Sequence, residues 1–490
     1  MRTKAFWAYF SDCFIGTSLP AWHRQAGAGR STAEPHSNKG LSLAVFRIGF
    51  GLLVFISQIR FLLKGWVDAC YLSTDFHFTY QYFSWVKPLS PDWLMYALVI
   101  VSALAALLVA IGLCYRWAAI VLFLSFTYLE LIEQSWYLNH YYLVALLAFL
   151  LCWLPADNCL SMRSWLPRRS IPIWYADVIR LQLGLVYFFA GLAKLRSDWL
   201  LEAQPLKIWL RARTDTPIIG SLFAYEETAY LFSYGGMMYD LTIPFFLWYS
   251  RTRPFAFLAV IGFHAMTALL FPIGMFPWVM IAGSLIFFTD EEWGRWLRKF
   301  RIIKLDASSP TILSAPDISL SERQSAGVKK LANVKLYRVL QILLVIYFGI
   351  QIVLPMRRLF YYENQLWTER HYRFGWNVML AEKTGNVTYR IVDKNTDRTW
   401  VNYPGNELSK IQEKQMAYQP DMIWQYAQHL AEKYRSKEDI EPAVYADCRV
   451  SFNGRPSQLY LPPDLNLLTV TQDEIYDWVM PLSWSPSRHK

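Results

Sequence analysis

From residue 40 onward, long apolar runs alternate with short polar breaks. Runs of roughly the twenty residues needed to cross a bilayer occupy 42–63, 94–113, 117–135, 139–156, 173–194, 229–249, 254–271, 273–289 and 336–354. The pattern predicts about nine crossings, the seventh and eighth joined tightly through Pro272 and Gly274. Beyond 354 the period changes. Val387, Tyr389 and Ile391 alternate with polar residues, Lys394, Asn395, Thr396 and Asp397 offer a turn, and Trp400 and Val401 begin a return, so 386–402 predicts a β-hairpin. From 407 to 437 the spacing is helical, interrupted at Pro420 and carried on by Trp424, Leu430 and Tyr434. Short strands are expected over 444–452 and 458–461. The expected fold class is a polytopic α-helical membrane protein with a C-terminal extracytoplasmic α+β domain. Its expected parts are a cytoplasmic tail (1–40), a multi-helix transmembrane domain (41–354) and the outer domain (355–490). Within the second, the Ser-, Ala- and Pro-rich stretch 305–335 is expected as a flexible cytoplasmic linker.

Composition supports this class. Of 490 residues 54% are hydrophobic and 18% charged, which excludes a disordered or fibrous chain and fits poorly with an average soluble enzyme. The 22 Trp, 30 Tyr and 31 Phe suit a chain that crosses lipid–water boundaries repeatedly. A net charge of +10 would suggest nucleic acid in a soluble protein; here basic loops against an anionic leaflet account for it, and no nucleic-acid partner is expected. With a cytoplasmic N-terminus, Arg116, Arg163, Arg168, Arg169, Arg251, Arg253 and the basic stretch 295–335 fall inside, which places 355–490 outside. No stretch before residue 40 has the make-up of a removable signal peptide. A bacterial inner membrane is preferred over the endoplasmic reticulum. The six cysteines show no paired CxxC spacing, so no metal site is expected. Cys70 and Cys448 both face outward on this topology and can pair, with two free thiols as the default.

Chemistry belongs where polar groups interrupt apolar segments, because charge at membrane depth is costly. Three segments qualify. In 136–143, Asn139 and His140 sit at the outer start of the fourth span among Trp136, Tyr137, Tyr141 and Tyr142. His140 can donate to a developing negative charge or move a proton; an interfacial aromatic belt is the alternative. In 187–200, Lys194 follows a long apolar stretch and the small residues Ala190, Gly191 and Ala193. A lysine partly removed from water can serve as a base, while a snorkelling ammonium is the alternative. Lys194 and His140 fall at one membrane face, where they can share a cavity. In 263–276, His264 is expected to face the bundle near Met275, in a binding role or as a helix-to-helix hydrogen bond.

These segments, with Gly235-Gly236-Met237-Met238-Tyr239-Asp240-Leu241, Trp367-Thr368 and Phe374-Gly375-Trp376-Asn377-Val378-Met379, in this order and spacing, resemble the vitamin K-dependent gamma-glutamyl carboxylase and its bacterial relatives from about residue 41 onward. The resemblance implies oxygenation of reduced vitamin K (phylloquinol or menaquinol) with O2, coupled to proton removal from peptide glutamate and uptake of CO2. Reduced vitamin K is the implied cofactor, with no metal; the implied partners are a glutamate-containing protein or peptide, membrane lipid and quinone. By position Lys194 matches the base that deprotonates the hydroquinone, and His140 matches the histidine that assists formation of the glutamate carbanion. Asn139, Tyr142, His264, Met275, Trp376 and Lys383 are the implied substrate- and quinone-binding residues. The vertebrate enzyme carries a lysine where this chain has Ala193, and His and Arg where it has Ala381 and Lys383. Two other functions remain open: quinol epoxidation without carboxylation, and a non-catalytic membrane protein that binds lipid or partners.

Overall fold

The structure, a computed structural model, describes residues 40–165, 171–300, 320–360 and 364–483. The expected cytoplasmic tail, except Gly40, and residues 305–319 of the expected linker lie outside the described residues.

Helices form over every apolar segment: α1 (Leu41–Leu63), α2 (Trp93–Ile111), α3 (Tyr115–Ile132), α4 (Asn139–Trp153), α5 (Trp174–Ala193), α6 (Glu226–Trp248), α7 (Arg253–Leu270) and α8 (Phe276–Ser284). An amphipathic α9 (Asp290–Lys299) and a long α10 (Leu320–Met356) follow. Among the described residues six are long and apolar enough to cross a membrane: α1, α2, α3, α5, α7 and the 338–356 part of α10. The helices α4 and α8 are apolar but shorter, and α6 is long but carries Glu226, Glu227 and an internal Pro244. The protein is a multi-pass membrane protein. The second half of the expected linker is corrected: 320–335 is the first part of α10. No proline interrupts 320–354, and each residue added to an existing helix gains a hydrogen bond for the dihedrals it fixes.

The bundle core gathers Phe46, Phe50, Leu147, Leu151, Ile179 and Leu183. Within it Arg47 is fully buried. Its guanidinium donates to Val109 O (2.7 Å) and Ala110 O (2.6 Å) at the end of α2 and to Ala156 O (3.0 Å). A cation there satisfies carbonyls that the helix end leaves without partners.

The C-terminal domain holds an antiparallel sheet of order β2-β1-β3-β4: β1 (Lys383–Asp393), β2 (Thr399–Asn402), β3 (Pro442–Phe452) and β4 (Gln458–Leu459). The expected hairpin is β1–β2, with Tyr389 opposite Asn402. Two helices follow it, α11 (Lys410–Met416) and α12 (Pro420–Glu438), with Pro420 in the first turn of α12, where its missing N–H costs nothing. The buried face of α12 (Met422, Ile423, Tyr426, Leu430) packs with Tyr389, Ile391 and Val444 of the sheet. The same core takes in Ala193, Trp199 and Leu270 from the membrane part, and Arg455 pairs with Asp198 at 2.7 Å. Cys70 and Cys448 are free thiols in separate cores, so the possible disulfide is not formed. Cys448 Sγ donates instead to Ala417 O at 3.3 Å.

Candidate functional site

A cavity of ≈ 550 Å³ lies where the helices meet the C-terminal domain. Its walls come from α1 (Ser57, Arg60), the end of α3 (Glu130, Glu133), the start of α4 (Asn139, His140), the turn before α8 and its first residue (Gly274, Phe276) and the C-terminal domain (Glu369, Arg373, Asn377, Lys383, Lys414).

His140 occupies the first turn of α4 and is buried, yet its Nε2 has no hydrogen-bond partner. A buried polar atom left unpaired costs about 1–3 kcal/mol, and at a cavity wall this one is open to a partner that enters the cavity. Gly274 faces it: φ is +62°, and a Cβ there would sit 3.7 Å from Nε2. The side-chain oxygen of Asn377, on the same cavity, is a second buried polar atom without a partner.

Asn139 lines the cavity and also positions its neighbours. Its Nδ2 donates to Asn377 O at 2.9 Å and its Oδ1 accepts from the Tyr137 hydroxyl at 3.0 Å. That hydroxyl in turn accepts from Phe374 N at 2.8 Å. Tyr142 packs its ring 4.9 Å from Phe374 and 5.2 Å from Trp376, and its hydroxyl accepts from Gln351. The start of α4 is thus fastened to 369–379, where Glu369, His371, Phe374, Trp376 and Met379 all have φ between +54° and +63°. Non-glycine residues in that region cost of order 1–3 kcal/mol each and persist only where surroundings enforce them. Arg373 helps enforce the loop by pairing with Asp421 at 2.7 Å, and Glu133 accepts from Gln412 Nε2 at 2.8 Å across the same junction. Trp376 is fully buried in the bundle core, with Nε1 unpartnered.

Lys383 lines the cavity, but its ammonium is engaged: Nζ donates to Glu369 Oε1 at 2.7 Å and Trp367 O at 2.8 Å. Burial pulls the Lys383 amine below the ordinary lysine value, and it pushes the Glu369 carboxyl up.

Lys194 follows the last residue of α5, and its Nζ meets Asp240 Oδ2 of α6 at 2.6 Å, both side chains 8% exposed. Close approach of the two helices is what permits this: at Gly191 any Cβ would fall 2.9 Å from Leu241 N. The expectation that Lys194 and His140 share a cavity is corrected, because Lys194 is not among the lining residues. Asp240 draws the ammonium into the α5–α6 seam. The Phe276 ring lies 6.0 Å from His140 and 5.7 Å from His264. His264 Nε2 in turn meets the Tyr187 hydroxyl of α5 at 3.0 Å, leaving Nδ1 unpartnered. Met275, next to Phe276, accepts at Sδ from Ser57 Oγ at 3.2 Å.

Two family models match the chain: the HTTM domain over residues 36–293, and the vitamin K-dependent gamma-carboxylase lumenal domain over 336–485. The chain belongs to the vitamin K-dependent gamma-carboxylase family. No solved structure matches it. In this carboxylase-family protein the cavity sits between the matched regions, with His140 and Phe276 from the first and Asn377 and Lys383 from the second. The family implies a vitamin K cofactor. The cavity fits a ligand of that kind in having aromatic residues on its walls and several unpartnered polar atoms, among them His140 Nε2 and Asn377 Oδ1. Sequence reasoning passed over Glu130, Asp240 and Asn377 as individual residues. Glu130 and Asp240 did carry a signal, a carboxylate inside an apolar run.

Proposed function

We propose that this protein is a vitamin K-dependent gamma-glutamyl carboxylase, coupling oxygenation of reduced vitamin K to carboxylation of peptide glutamate with O2 and CO2. The observation that carries the reading is the unpartnered His140 Nε2 on a cavity shared by the two family regions. Reduced vitamin K, when bound, supplies the reducing electrons for O2 and thereby the strong base that the γ-proton of glutamate requires.

The chain's own residues then divide the work. Lys194, backed by Asp240, handles the hydroxyl proton of the quinol at the α5–α6 seam. His140 Nε2 hydrogen-bonds the negative charge that develops on the glutamate side chain, a role that needs a cavity-lining donor not already engaged. Asn139 holds the start of α4 against Asn377 so that this donor keeps its aim. Tyr142, Trp376, Met275 and His264 form the packed apolar surround that keeps bulk water from a reactive site. The domain division at about 354/355, an outward C-terminal domain and about nine crossings belong to the same reading. Peptide then reaches the cavity from water and quinol arrives through the bilayer of a bacterial inner membrane.

A second reading, epoxidation without carboxylation, is favoured by one observation. Ala381 offers the cavity only a methyl group, and Lys383 spends its hydrogen bonds on Glu369 and Trp367. The test is a paired assay on detergent-purified protein with reduced vitamin K, O2, labelled bicarbonate and a glutamate-rich peptide. Epoxide and fixed label together support the first reading, epoxide alone the second. Neither product from folded protein would sink both.

A further inference from the structure

Asp240 stands in the middle of α6, 6% exposed. Among the described residues its one ion-pair partner is Lys194. The other contacts of Lys194 Nζ are weaker: Ala190 O at 3.4 Å and the Trp199 ring at 5.4 Å. An ammonium that already carries its proton cannot accept another, so a Lys194–Asp240 ion pair has its only proton-accepting site on the carboxylate.

We propose that Asp240 is the proton acceptor behind Lys194. As Lys194 Nζ takes the hydroxyl proton of a quinol, it passes one of its own protons to Asp240 Oδ2. The quinol O–H bond and one N–H bond of Lys194 break, while a new N–H bond on Lys194 and an O–H bond on Asp240 form. Lys194 is an ammonium before and after. The ion pair moves from lysine–aspartate to lysine–quinol oxygen, and Asp240 is left neutral. The number of buried charges does not change, which matters because a buried charge stripped of its partner is strongly unfavourable. Trp199 keeps the seam in register: its Nε1 donates to Ser233 O at 2.8 Å, and Ser233 Oγ donates back to Trp199 O. Asp240 is therefore a positioning and proton-holding residue that acts through Lys194, and the inference rests on Lys194 being the quinol base.

The test uses the full chain in detergent and compares wild type, Asp240→Asn, Asp240→Glu and Lys194→Ala. Two quantities are read across pH 6–10: epoxide formed from reduced vitamin K and O2, and, without quinol, acetylation of Lys194 by acetic anhydride followed by mass spectrometry. In D240N the lysine loses its counter-charge, so the midpoint of Lys194 acetylation falls by about one pH unit or more relative to wild type. Epoxidation by D240N is then down about 100-fold at pH 6 and climbs with pH in step with the acetylation curve, while wild type stays flat over that range. D240E, which restores an acceptor, recovers the flat profile at reduced rate; it carries the test if D240N fails to fold, as judged by thermal unfolding. A folded D240N with wild-type rate and profile, or one inactive at every pH, overturns the proposal while leaving Lys194 as base. A Lys194→Ala protein that forms epoxide normally overturns the underlying reading as well.

Discussion

The bundle and the C-terminal domain each bury one lysine against one carboxylate, Lys194–Asp240 at 2.6 Å and Lys383–Glu369 at 2.7 Å. The pairs are alike in length and burial and differ in what surrounds them. Lys383 also donates to Trp367 O at 2.8 Å and lies within 6 Å of the Trp367, Tyr418 and Tyr460 rings. Its partner Glu369 is the first of the left-handed residues in 369–379. Such a saturated ammonium is a structural pin that holds the loop fastening the cavity. Lys194 has one strong acceptor and a distant aromatic ring, so a single incoming oxygen can compete for it. Equal distances therefore do not mean equal roles; the number of strong partners decides which pair can exchange one.

The comparison breaks most sharply at Lys194. Replacing it with alanine is expected to lower epoxide formation by about 10³-fold, within the range of general acid–base effects. Protein of wild-type thermal stability that still makes epoxide would remove the distinction between the pairs. Next, Lys383→Ala strands Glu369 without its counter-charge. Breaking one side of a buried pair typically costs about 3–5 kcal/mol. The expected outcome is a lowered unfolding midpoint, largely recovered by the double change Lys383→Met with Glu369→Gln; a fully stable K383A that has lost carboxylation would instead make Lys383 a substrate ligand. His140→Ala sharpens the contrast between the cavity and the seam. Label fixed into peptide should fall about 100-fold and epoxide by less than about tenfold, and equal losses of both products would merge the two sites.

The smallest effect is on pH dependence. Burial, aided by the charges of Arg357 and Arg370, holds His371 down to about 4 against an ordinary 6.5. As pH falls below 6.5 the unfolded chain takes up a proton there that the folded chain refuses until about pH 4. Stability contributed by the neutral ring is thus present above 6.5 and lost progressively between 6.5 and 4. His371→Asn should narrow the difference in unfolding midpoint between pH 7 and pH 5 by a few degrees, and an unchanged difference would show that the loop does not exclude the proton.

Local pattern carried much of this fold. Apolar runs gave α1 to α8 within a few residues, and the alternation through Val387, Tyr389 and Ile391 with a polar turn gave β1–β2. It also gave His140, because a polar pair opening an apolar helix stands out in one dimension. The α10 extension was missed because Ser- and Ala-rich composition does not separate a linker from a solvated helix. The five left-handed residues of 369–379 were equally hidden: no local preference puts such side chains there, and tertiary contacts hold them, among them Tyr137 and Tyr142 on Phe374 and Trp376, Asp421 on Arg373 and Lys383 on Glu369.

Which residues change a membrane segment from a spacer into a place for chemistry was therefore written along the chain: Asn139, His140, Lys194, Asp240 and His264 all interrupt apolar runs, and each interruption is expensive enough to be visible. How those residues are grouped was decided in three dimensions. Lys194 and Asp240 are 46 positions apart, and they meet because Gly191 lets α6 approach α5 closely. That contact turns Lys194 into the seam, while Phe276 at the start of α8 comes against both His140 and His264. Burial cost is a property of a residue and its immediate neighbours. The seam a side chain faces depends on the close approach of helices distant in sequence, which no local period encodes.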